Sequence, residues 1–98
     1  QRRQVVQQVN TYITALDRAI TIVLSPTVGR SGDSYIVADD VIPLYGMGTT
    51  PVEAMEDYRS VMVEYYEDLE ADATELAEPL KNQLEILRRI FRMLEQEQ

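Results

Sequence analysis

The clearest pattern of apolar and polar positions lies in the middle of the chain. Met55, Tyr58, Met62, Tyr65 and Leu69 recur at spacings of three and four, with Ala54, Val61 and Tyr66 beside them, so one side of a helix faces a core. The start of that helix is marked. Thr50 offers a capping hydroxyl, Pro51 the preset φ of a first helical residue, and Glu53 stands three after the cap, as in a capping box. The pattern predicts a helix over 50–73. After a break at 72–78, Leu80, Leu84, Leu87, Phe91 and Leu94 predict a second helix over 79–94, with Ile86, Ile90 and Met93 as an adjoining apolar row. That stripe is wider than a small sheet needs to cover.

The first half of the chain reads differently. In residues 1–17, Val5, Val9, Tyr12 or Ile13, and Leu16 fall at helical spacing and predict a short amphipathic helix or arm. The β-branched and aromatic residues at 11–14 leave a strand there as the competing reading. Residues 19–25, AITIVLS, are rich in β-branched side chains and closed by Pro26, which predicts a strand. Gly29, Ser31, Gly32 and Asp33 mark 27–34 as a loop longer than a tight hairpin. Residues 34–38 predict a second strand and 41–48 a third, bent around Pro43 and Gly46, with Asp39 and Asp40 at the corner between them. The expected fold is α+β: a three- to four-stranded antiparallel sheet, the fourth strand coming from the N-terminal segment or a symmetry mate, covered by the long helix. A short N-terminal helix or arm and a C-terminal helix complete it. Residues 1–98 then form a single domain with its core at 19–73.

Composition narrows the chemistry. The 98 residues include no cysteine and no histidine, which removes thiolate zinc sites, disulfides, the commonest general base and the usual pH switch. No apolar run is long enough to span a bilayer, and the expectation is a soluble cytoplasmic protein without a membrane partner. The net charge is −8, and ten acidic residues between Glu53 and Glu78 face Arg59 alone. Nucleic-acid binding, which needs a basic stripe, is disfavoured, and a basic protein is the better electrostatic match. The plain reading of the acidic run is a solvated helix face.

Each candidate site has a local explanation beside it. Asp33, Asp39, Asp40 and Glu53 could be imagined holding magnesium, but a turn, a corner and a capping box account for each of them, and no ordered ligand spacing is present. The expectation is no metal and no cofactor. Gly46-x-Gly48 lacks the third glycine and the lysine of a phosphate loop, and a turn needing backbone freedom explains both glycines. Ser25, Ser31, Ser34 and Ser60 have no histidine to activate them, so no catalytic residue is assigned and an enzyme is not expected.

Taken in order, AITIVLS, VGRSGD, SYIVADD, IPLYGMG and TTPVEAMEDYRSVMVEYYEDLE resemble the HicB-like antitoxin family. Gly48-Thr49-Thr50-Pro51-Val52-Glu53-Ala54 is similar to that family's glycine, small polar residue, Thr, x, x, Glu, Ala at the turn into its long helix, and Tyr35-Ile36-Val37-Ala38 resembles its second strand. The resemblance covers 19–69, about half the chain. The family's Pro-Asp-Leu-Pro-Gly stretch reads ADDVIP here, and no helix-turn-helix or ribbon-helix-helix unit follows the core. The resemblance implies a β-β-β-α core, dimeric or higher, that binds a small basic ribonuclease toxin and occludes its RNA surface. On this reading Glu64, Glu67 and Asp68 bind the partner, and Leu80, Leu84, Leu87 and Phe91 form the interface between copies. The competing expectation is a structural domain that self-associates through its helices with no toxin. A metal-dependent nuclease using Asp33, Asp39 and Asp40 comes third.

Overall fold

The computed structural model describes residues 2–96, with side chains from Val9 onward. The chain runs α1 (Arg2–Leu24), β1 (Thr27–Ser31), β2 (Ser34–Ala38), β3 (Tyr45–Gly48), α2 (Pro51–Ala71) and α3 (Glu78–Gln96). It is an α+β fold, in which the strands form one antiparallel sheet in the order β1-β2-β3.

The largest departure from the sequence reading is at the start. The stretch 19–25 is not a strand but the last turns of α1, and the competing strand at 11–14 is helical too. Leu16, Ala19, Ile20 and Leu24 are buried at helical spacing while Ile22 stays 61% exposed, so a helical stripe against α3 overrides the β preference of Ile20, Thr21, Ile22 and Val23. The Thr21 hydroxyl donates to the Asp17 carbonyl, as a β-branched hydroxyl does inside a helix. Pro26 therefore stops a helix: Ser25 takes a left-handed φ of 48° and its N–H closes onto the Thr21 carbonyl at 3.0 Å.

The first strand lies where a loop was expected. All five residues of β1 are exposed, so no apolar alternation marks it in the sequence. Its register with β2 pairs Val28 with Val37 and Ser31 with Ser34, leaving only Gly32 and Asp33 in the turn. Gly32 has a φ of +60°, the conformation a two-residue II′ hairpin asks of its first central position. The third strand is shorter than the predicted 41–48. Asp39 organises the corner before it by accepting the N–H groups of Val41 and Ile42 at 2.6 and 2.8 Å, which turns Ile42 into the core.

The central helix starts as its capping residues dictate. The Thr50 oxygen accepts the Glu53 N–H at 3.1 Å, but the Glu53 carboxylate returns to Thr49 rather than to the cap, accepting the Thr49 N–H at 2.9 Å and the Thr49 hydroxyl. Ala54, Tyr58 and Met62 pack α2 onto β2 and β3, and Leu69 continues its buried stripe toward α3. Gly46 and Gly48 have ordinary φ values; their role is space. A Cβ on Gly46 would lie 2.2 Å from the Tyr58 nitrogen and 2.3 Å from the Ala54 oxygen. Leu84, Leu87, Ile90 and Leu94 of α3 complete the core with α1. Bidentate contacts of 2.8 Å between Arg59 and Asp17 tie α2 to α1, and Arg88 ties α3 to Glu70 of α2 at 2.6 Å.

Candidate protein-binding surface

The acidic residues of α2 divide into two sets. Glu53, Asp57 and Glu70 have structural partners: Thr49, the Met47 N–H at 2.9 Å, and Arg88 together with the Tyr66 hydroxyl at 2.8 Å. The Thr49 hydroxyl and N–H hold the Glu53 carboxyl below its ordinary value, and the Arg88 guanidinium followed by the Tyr66 hydroxyl does the same for Glu70. Of the other four, Glu56 acts through its charge on the Arg59 guanidinium, and Glu64, Glu67 and Asp68 form the second set. All three are exposed, and among the described residues no ion pair or hydrogen bond engages their carboxylates. The arginines that reach α2, Arg59 and Arg88, are already held by Asp17 and by Glu70 and Glu85. An outward negative row with no counter-ion among the described residues is thus built into the helix.

The residues expected between copies have a different placement. Leu84 and Leu87 are buried within the protomer, Leu80 is half-buried, and Phe91 stacks on Tyr66 with ring centroids 4.3 Å apart. The apolar stripe of α3 is wide because α1 covers it, and that cover was hidden in the stretch read as a strand. Leu84 and Leu87 are therefore closed off from any second copy while this fold is intact.

The carboxylates considered for a metal are scattered in role. Asp33 sits in the hairpin turn, Asp40 is exposed, and Asp39 receives the Tyr58 hydroxyl as well as the two backbone groups of the corner. Among the described residues, no group of three acidic side chains is placed to hold a metal ion. Burial, with Asp39 as hydrogen-bond acceptor, pushes the Tyr58 hydroxyl well above its ordinary pKa.

Two surfaces escaped the sequence reading. The first is the sheet face opposite α2. Register places Gly29, Ile36 and Met47 side by side on it, with Thr27, Ala38 and Tyr45 next to them; Tyr45 is 60% and Met47 44% exposed. The alternation Ile36-x-Ala38 and Tyr45-x-Met47 was visible, but only the register joins the two pairs. The second is a cleft of about 280 Å³ where the helices meet, lined by Tyr12, Tyr66, Phe91, Leu94 and Glu95. No helix among the described residues is long and apolar enough to cross a membrane.

These features define a small α+β domain with one helix-covered sheet face, one bare sheet face and an unpaired acidic row. No protein-family model, no curated protein and no solved structure matches the chain.

Proposed function

We propose that this chain is a non-enzymatic protein-binding module of the HicB-like antitoxin kind, which acts in the cytoplasm by holding a small basic partner, such as a ribonuclease toxin, against the outer face of α2. The observation that carries the reading is the exposed row Glu64, Glu67 and Asp68, which has no cation paired with it among the described residues. A basic surface docking there supplies the missing counter-charges, speeds encounter and makes the complex salt-sensitive. A toxin held this way has its RNA-binding face covered by negative protein, which excludes the RNA phosphates by like charge. The acids on the inner flank of α2 stay with Thr49, Met47 and Arg88, so partner binding needs no rearrangement of the fold.

The test is capture from native lysate with mass spectrometry, followed by reconstitution with the purified partner. The expected result is a single small basic protein whose ribonuclease activity is suppressed by the native chain and not by E64K/E67K/D68K, with the affinity falling as salt rises. Equal suppression by the charge-reversed chain, or a partner that is not basic, refutes it. A second reading, a self-associating structural domain with no toxin, draws on the bare sheet face with its exposed Tyr45 and Met47, and on Leu80 and Phe91 as the partly exposed members of the α3 row.

A further inference from the structure

The two edges of the sheet are not alike. On β3 the Met47 N–H is taken by the Asp57 carboxylate of α2 at 2.9 Å, so that edge has one of its outward groups occupied by a side chain. On β1 nothing among the described residues takes the outward groups, and all five residues are exposed. The ladder determines which groups these are. Because the Met47 N–H points away from β2, Met47 and its partner Ile36 form a non-hydrogen-bonded pair, and Ile36 turns its backbone toward Gly29 of β1. The two-residue turn agrees, since its closing pair Ser31 and Ser34 is a bonded one. Val28 and Arg30 therefore present their N–H and C=O groups outward. The strand has no proline within it, no lysine and no bulge to discourage pairing.

We propose that two copies of the chain pair antiparallel through β1 about a two-fold axis at Gly29, joining their sheets into one of six strands. Register selects a second copy as the occupant of this edge. Three antiparallel registers bring outward groups together. Pairing Val28 with its own copy sets Arg30 opposite Pro26, which has no N–H to donate. Pairing Arg30 with its own copy places two guanidiniums face to face, which is destabilising. The third pairs Val28 with Arg30 of the other copy, and Arg30 with Val28. All four outward groups on each strand are then bonded, and Gly29 meets its equivalent at the axis.

Side-chain chemistry fits that register. Arg30 lies over the Tyr35 ring, 5.4 Å from its centroid, on the same face as Val28, which is 56% exposed in the single chain. In the pair, Val28 of one copy covers the aliphatic stem of Arg30 in the other. The α2 helix packs on β2 and β3 rather than β1, so the acidic rows of the two copies stand at least three strand spacings apart, about 14 Å. That exceeds the screening length of about 8 Å at physiological salt. Arg30 also makes this edge a poor seat for a strand from a basic partner, so the surface is separate from the one proposed on α2, and each can fail without the other.

The experiment is sedimentation equilibrium of the purified chain over a wide concentration range, with amide exchange at its two ends and Val28→Pro as the variant. Proline at 28 removes an outward N–H without touching the ladder to β2, and edge strands tolerate it there. The expected result is a dimer that dissociates on dilution, slower exchange at Val28 and Arg30 in the dimer only, and self-association at least about tenfold weaker in Val28→Pro. If Val28→Pro fails to fold, the exchange comparison on the native chain decides. A chain that stays monomeric up to about 1 mM overturns the proposal. So does a dimer whose Val28 and Arg30 amides exchange as freely as in the monomer.

Discussion

Replacing Gly46 by alanine tests how closely α2 sits on the sheet. The added Cβ would lie 2.2 Å from the Tyr58 nitrogen and 2.5 Å from its Cα, against an ordinary contact of 3.4–4 Å. Both are backbone atoms of a long helix, so no side-chain rotation relieves the overlap and α2 must withdraw by about 1 Å. A gap of that size forfeits roughly a quarter to a half of the contact energy across the interface. Ala54, Tyr58 and Met62 are all fully buried there, and at about 1.5–3 kcal/mol for each of the two large side chains the loss comes to about 1–3 kcal/mol. Withdrawal also strains the Tyr58 hydroxyl bond to Asp39, which brings the expectation to about 3 kcal/mol. For a domain of this size that lowers Tm by about 12–24 °C. The assay is thermal and urea unfolding followed by circular dichroism on dilute protein, with Gly29→Ala as the control. A Cβ at Gly29 meets nothing within 4 Å, so that variant should stay within about 0.5 kcal/mol of the native chain. If Gly46→Ala loses less than about 1 kcal/mol, the close seating of α2 is wrong.

Other perturbations probe the remaining joints. Met62→Asp puts a carboxylate at a position with no solvent access and should abolish the cooperative melt; a variant melting near the native temperature would remove Met62 from the core. Asp17→Ala leaves Arg59 half-buried without its bidentate partner and should lower stability by about 1–3 kcal/mol in urea unfolding, whereas an unchanged midpoint would mean that the contact is energetically idle. The lowered carboxyl pKa values of Glu53 and Glu70 mean that their contribution is present above the ordinary value of 4.5 and is lost as pH falls through the lowered values. The melting temperature should decline below about pH 4.5, and less steeply in Glu70→Gln, where that titration is gone. Tyr58 acts in the opposite sense: its raised pKa contributes stability that is present below 10 and is lost only as pH rises beyond, so spectrophotometric titration should find one tyrosine ionising together with unfolding.

The elements written locally in the sequence were legible. Thr50, Pro51 and Glu53 define the start of α2 through bonds within one turn, and the spacing of Tyr58, Met62 and Leu69 names its buried face without knowledge of what covers it. The second strand and the last helix were legible for the same reason, each having a period that its own residues display. The glycines at 46 and 48 stand out in the sequence as turn residues, but the physical cause of both is the close approach of α2, which no local pattern displays.

What only the tertiary structure decided depends on partners distant in the chain. Residues 19–24 are helical because α3 offers a stripe to Leu16, Ala19, Ile20 and Leu24, a packing gain that outweighs a weak local preference for strand. That same docking closes Leu84 and Leu87 inside the protomer, so an apolar row that looked like an interface between copies became core. The first strand was hidden because a fully exposed edge strand carries no alternation, and its outward groups follow from ladder parity that begins at Met47 and Asp57. Local sequence wrote the caps and the periods, and long-range packing chose which apolar faces meet and which backbone edge stays open.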